Sequence, residues 1–128
     1  MKCLLDTHAF LWFQADSPEL STSAKSVIEN AENEILLSMA SIWEMAIKIS
    51  VGKLVLDGSL EDLILREAAD NAVALLPIEV GHVAKIVQLP FYHRDPFDRL
   101  LAAQCLALDI PIVSRDRSFE SYNVERIW

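Results

Sequence analysis

The chain has 128 residues, 52% of them apolar and 23% charged, which is the length of one domain (residues 1–128) with enough apolar surface to build a core. Nineteen acids against eleven bases give a net charge of −8. That balance argues against general attraction to nucleic-acid phosphates, and no apolar run approaches the ~20 residues of a membrane span.

Lys2–Asp6 reads as a short buried strand and Thr7–Gln14 as a helix closed by Ser17-Pro18. Asp6 and His8 interrupt this apolar start and no small-residue cleavage site follows, so no signal peptide is expected. Ser21–Ala31 carries Ala24, Val27, Ile28 and Ala31 at helical spacing. Glu34–Ser38 is a second strand, and Ala40–Val51 a helix ended by Gly52. Ser59 caps a helix that runs to about Ala69. Ala72–Ile78 is a third strand, Glu79–Val87 a short helix and Leu89–Asp95 a loop. Asp95 and Pro96 fit the cap and first position of a helix reaching Leu108. Ile110–Ser114 is a fourth strand, Arg117–Glu120 a helical turn, and Asn123–Ile127 a candidate last strand. Cys3 and Cys105 lie far apart in apolar runs, the usage of buried reduced thiols in a cytoplasmic protein.

Strands that alternate with helices and read as continuous apolar runs predict a three-layer α/β/α sandwich with a four- or five-stranded, mainly parallel sheet. In that architecture the ligand crevice lies at the carboxyl ends of the strands. Four acids stand out against it. Asp6 ends the first strand, with helix capping as the plain alternative. Glu44 sits in Ile42-Trp-Glu-Met-Ala-Ile-Lys-Ile49, an apolar helix, where pairing with Lys48 is the alternative. Asp98 occupies a first helical turn, where the helix dipole alone welcomes an acid. Asp116 follows the fourth strand. Asp95 reads as a cap, and Glu29, Glu32, Glu61, Glu67 and Asp70 read as solvated helix faces.

Taken together, the four acids can reach one rim. Four adjacent carboxylates repel and raise one another's pKa unless cations are present. All-oxygen sites of this kind suit Mg²⁺ or Mn²⁺, one or two ions per site, and serve phosphodiester hydrolysis. No nucleophilic triad and no glycine-rich phosphate loop is present. Arg94, Arg99, Arg115 and Arg117 flank the two later acids, where simple counter-charge is the plain reading. His8 reads as a packed or surface residue, and His82 and His93 carry no signal. Trp12, Trp43 and Trp128 read as core or interface anchors.

LLDTHAFLW at 4–12, SIWEMAIKI at 41–49, HRDPFDRLLAAQ at 93–104 and IVSRD at 112–116 resemble the PIN-domain ribonucleases, and more closely the VapC-type toxins of bacterial toxin–antitoxin pairs. The resemblance spans essentially the whole chain. It implies a Mg²⁺- or Mn²⁺-dependent endoribonuclease, a homodimer, RNA as substrate, with Arg94, Arg99, Arg115 and Arg117 as candidate RNA contacts, and a cognate antitoxin that masks the site. The family's acids map onto Asp6, Glu44, Asp98 and Asp116. Thr7 and Ser114 match its small polar residues and would hold carboxylates or waters in place.

Three other readings stay open on the residues. A receiver-like phosphoacceptor domain has this size and charge but needs paired acids after its first strand, and Asp6 stands alone there. A PIN-fold binding module without catalysis would keep the fold, and a nuclease acting on DNA would keep both fold and ions.

Overall fold

The computed structural model describes residues 1–128. In chain order the elements are β1 (Lys2–Leu5), α1 (Thr7–Gln14), α2 (Thr22–Glu29), β2 (Glu34–Ser38), α3 (Met39–Ser50), α4 (Leu60–Asn71), β3 (Ala74–Leu76), α5 (Val80–Ile86), α6 (Pro96–Leu108), β4 (Ile112–Val113), a 3₁₀ helix (Arg117–Tyr122) and β5 (Arg126–Ile127). The strands form one sheet in the order β3-β2-β1-β4-β5, and every pairing is parallel.

Alternation along the central strands explains the three layers. Cys3, Leu5, Ile35, Leu37 and Val113 face a cluster with Phe10, Met45 and Leu63. Their neighbours Leu4, Leu36 and Ile112 face the opposite way, into a cluster with Leu101, Cys105 and Phe119. A strand buried on both faces has no polar position to spare, so the apolar runs of β1 and β2 are legible as sheet centre. Phe10 and Phe119 are fully buried and anchor the two sides, each holding about 3–5 kcal/mol against truncation to Ala. Both cysteines are buried and free. No helix is long and apolar enough to cross a membrane.

Chain reversal about β1 positions the site. β2 and β3 extend the sheet on one side of β1, β4 and β5 on the other. The order therefore switches between β1 and β4, where helices leave on opposite faces and a crevice opens at the strands' carboxyl ends. Asp6 and Asp116 follow those two strands.

Several boundaries differ from the sequence reading. β3 spans three residues rather than seven, because it is an edge strand whose Ala74 and Leu75 are exposed and whose only partner is β2. β4 is reduced to two residues because Pro111, which has no N–H to give, stands before it. α2 ends at Glu29, two residues early. Glu67, expected on a solvated face, is buried and accepts from Asn71 Nδ2 at 2.6 Å. The helix caps follow the sequence closely. Ser59 Oγ accepts from Asp62 N at 3.1 Å, and Asp95 Oδ1 accepts from Phe97 N at 2.7 Å and Asp98 N at 3.2 Å.

Candidate active site

Asp6 is both cap and site residue. Its Oδ1 accepts from Ala9 N at 2.8 Å, starting α1. Its Oδ2 accepts from Ser114 Oγ at 2.6 Å, across the β1–β4 junction. Ser114 Oγ in turn accepts from Asp116 N at 3.0 Å. One hydroxyl thus ties the first carboxylate to the backbone of the last. Thr7 donates from Oγ1 to Glu44 Oε1 at 2.7 Å, joining α1 to α3. Glu44 Oε2 also pairs with Lys48 at 2.9 Å, so the ion pair offered by the sequence is present alongside the site contact.

Asp98 lies in the first turn of α6, where the Asp95 cap aims it at the rim. Burial and, after it, the negative charges of Asp95, Glu44 and Asp6 push its carboxyl up to about 7, with His93 opposing them. Asp6 is likewise raised, chiefly by burial, although the hydrogen bonds from Ser114 and Ala9 N work against that. Asp116 goes the other way. Burial would raise it, but hydrogen bonds from His93 and Ser118 N and the charge of His93 hold it below the usual carboxylate range. The ligand atoms of His93, Asp98 and Asp116 lie within 4.8 Å of one another.

This is a set of acids with a deficit of positive charge. Lys48 serves Glu44 alone, and Asp98 bears the repulsion. Carboxylates gathered in this way are a donor set whose chemistry fits a hard cation. None of the five surface cavities is lined by Asp6, Glu44, Asp98 or Asp116. Asp6 and Glu44 are buried, and Asp98 and Asp116 are half-buried.

A stability prediction follows from Asp98. Its folded pKa is about 7 against an ordinary 3.8, so between those values the folded chain holds a proton the unfolded chain has released. Stability must then fall as pH rises through that window. Thermal unfolding of the ion-free protein between pH 4.5 and 8, alongside Asp98→Asn, reads it. The wild type should lose Tm relative to the variant as pH rises, and Mn²⁺ should restore it. A pH-independent difference would show that Asp98 ionises without penalty.

The four candidate arginines separate. Arg94 and Arg117 are exposed and take part in no ion pair. Arg115 pairs with Glu19 at 2.8 Å on the surface, with its guanidinium 5.8 Å from the Trp12 ring. Arg99 is buried. It donates to the carbonyls of Pro90 at 2.8 Å, Leu89 at 3.2 Å and Ile86 at 3.3 Å, and its guanidinium covers the Phe91 ring at 4.2 Å. No face of Arg99 is left for a phosphate, which corrects its reading as an RNA contact. His93, which carried no signal in sequence, lies against Asp116 with Nε2 at 2.6 Å from Oδ2. Its loop has no periodicity that would betray a buried ring.

A parallel sheet with carboxylates gathered at its topological switch defines an α/β protein with an acidic rim. Residues 3–125 match the PIN domain family, and the chain belongs to that family. It is 28% identical over 124 residues to Ribonuclease VapC22 of Mycobacterium tuberculosis, covering 96% of this chain and 93% of the relative. Among solved structures it is similar to VapBC2 from Rickettsia felis bound to a promoter DNA fragment, with TM-score 0.68 and 14% identity over 98% of this chain and 97% of the other. It is also similar to FitAcB from Neisseria gonorrhoeae, with TM-score 0.65 and 20% identity over 97% and 95%. These structures share its fold.

Proposed function

We propose that this protein is a Mg²⁺- or Mn²⁺-dependent endoribonuclease acting as the toxin of a toxin–antitoxin pair. The observation that carries the proposal is the convergence of Asp6, Glu44, Asp98 and Asp116 at one rim, with Asp98 raised to about 7 by burial and its acidic neighbours. The name of the mycobacterial relative supports RNA as the substrate.

Asp6, Asp98 and Asp116 would offer oxygens to one or two ions. A bound ion lowers the pKa of an attacking water and offsets charge developing on the phosphate. The chain's own part is orientation. Ser114 fixes Asp6, and Thr7 and Lys48 engage both Glu44 oxygens. Glu44, with both oxygens engaged, would act at the edge of the site, and the three aspartates would hold the ions. Arg94 and Arg117 supply free positive charge on the approach for the RNA backbone. An antitoxin would silence this rim by inserting Arg or Lys among the acids. Exposed Trp43, Ile47 and Val83 on α3 and α5 form an apolar face suited to the second copy of a homodimer.

The test is direct. The purified protein, freed of any bound partner, is incubated with single-stranded RNA. Cleavage with Mg²⁺ or Mn²⁺ and none with EDTA is expected. Intact RNA under both ions would overturn the enzyme reading.

A further inference from the structure

We propose that His93 is a positioning residue whose tautomer is set by Tyr122 and whose Nε2–H fixes the direction in which Asp116 presents its carboxylate. Its purpose rests on the divalent-ion reading above, but its geometry does not.

The side chain of His93 is only 8% exposed. Its ring sits between Phe119, with centroids 4.7 Å apart, and Tyr122, with planes within 9°. Both ring nitrogens are engaged. Nδ1 lies 3.0 Å from the Tyr122 hydroxyl, and Nε2 lies 2.6 Å from Asp116 Oδ2.

When the ring is neutral, proton counting chooses the tautomer. A hydroxyl has one proton to donate. The Tyr122 oxygen already accepts from the backbone N–H of His93 at 3.0 Å. Its own proton is therefore free for Nδ1, which must accept it. The ring proton goes to Nε2, where the carboxylate at 2.6 Å requires a donor. The opposite tautomer would set two lone pairs against each other at that distance and leave the tyrosine proton without a partner.

Asp116 is consequently held at both ends. Oδ2 takes the His93 proton and Oδ1 takes the Ser118 N–H at 2.9 Å. Its remaining lone pairs are free for an ion, and a ligand atom of Asp98 lies within 4.8 Å. The ring is not placed to ligate an ion itself, because Nε2 would have to surrender the proton that the carboxylate needs. This is the arrangement by which outer residues orient metal-binding carboxylates, and losing such a partner weakens ion affinity by about 10–100-fold.

Three variants test it. His93→Phe keeps a ring between Phe119 and Tyr122 but donates nothing. His93→Gln keeps an N–H near the Nε2 position. Tyr122→Phe keeps the packing and removes the hydroxyl. Mn²⁺ affinity is measured by electron paramagnetic resonance, and imidazole ¹⁵N spectra of the ion-free protein report the tautomer at pH 8. The wild type should show Nε2–H, and Tyr122→Phe should mix the two tautomers. His93→Phe should weaken Mn²⁺ binding at least tenfold, and His93→Gln should recover most of it. An Nδ1–H tautomer in the wild type, or His93→Phe binding Mn²⁺ as tightly as wild type, overturns the proposal. Wild type that binds no Mn²⁺ would sink the divalent-ion reading and with it the role assigned to His93, while the ¹⁵N spectrum still decides the tautomer.

Discussion

Asp98→Asn is expected to lower ion-dependent RNA cleavage by roughly 10²–10³-fold, the scale of losing one well-placed electrostatic group at a reacting phosphate, while making the ion-free protein more resistant to heat. The two effects share a cause. The charge of Asp98 is opposed by burial and by Asp95, Glu44 and Asp6, so its neutral amide is easier to fold and useless for holding a cation. Asp6→Asn should lose activity to a similar degree, but without a comparable gain in stability. Asn remains a good helix cap, because its Oδ1 can still accept from Ala9 N, but its Nδ2 only donates, so the bond that Ser114 Oγ gives to Oδ2 is lost and offsets the relief of the buried charge. Cleavage rates under Mn²⁺, with melting curves in EDTA, check both. An Asp98→Asn protein as active as wild type would remove Asp98 from the site.

Arg99→Met is expected to cost about 3 kcal/mol, because two or three buried carbonyls lose a charged donor at about 1–3 kcal/mol each. For a chain of this length that lowers Tm by about 10 °C. Arg99 closes the carboxyl end of α5 and the loop after it through Ile86, Leu89 and Pro90, and that loop carries His93 to Asp116. Arg94→Ala should do the reverse: leave Tm within about 1 °C, since surface changes cost little, and reduce the steepness with which RNA affinity falls as salt rises. Thermal melts and salt titrations of RNA binding separate the two. A stable Arg99→Met with weakened RNA binding would return Arg99 to the interface.

The fold was legible where one residue type had one physical meaning. The runs Lys2–Leu5 and Glu34–Ser38 could only be central strands, and Asp95-Pro96 could only open a helix. The edge strand β3 was read too long because Ala72–Ile78 is apolar throughout and nothing in composition says that its outer side has no partner. Among the four candidate acids, Asp6 and Asp116 stand out by following strands and Asp98 by its first helical turn, whereas Glu44 stands out as a charge in an apolar helix. Arg99 was misplaced by the same neighbourhood reasoning. It is one residue from Asp98 in sequence, but a helix turns ~100° per residue, and that step carries the side chain from the rim into the space under α5. His93 and Tyr122 were invisible because their meeting depends on a loop crossing the 3₁₀ helix 29 residues on.

The hydrogen bond between Ser114 and Asp6 spans 108 positions of chain, and this gives the site a timing. Asp6, Thr7 and Glu44 are all made well before Ser114, the residue that holds Asp6 on its second side. A growing chain emerging from the ribosome carries three of the four acids and neither Ser114 nor Asp116. Long-range contacts of this kind also form late in folding, since distant segments must first be brought together. The candidate site is thus incomplete until β4 has been made and has docked beside β1.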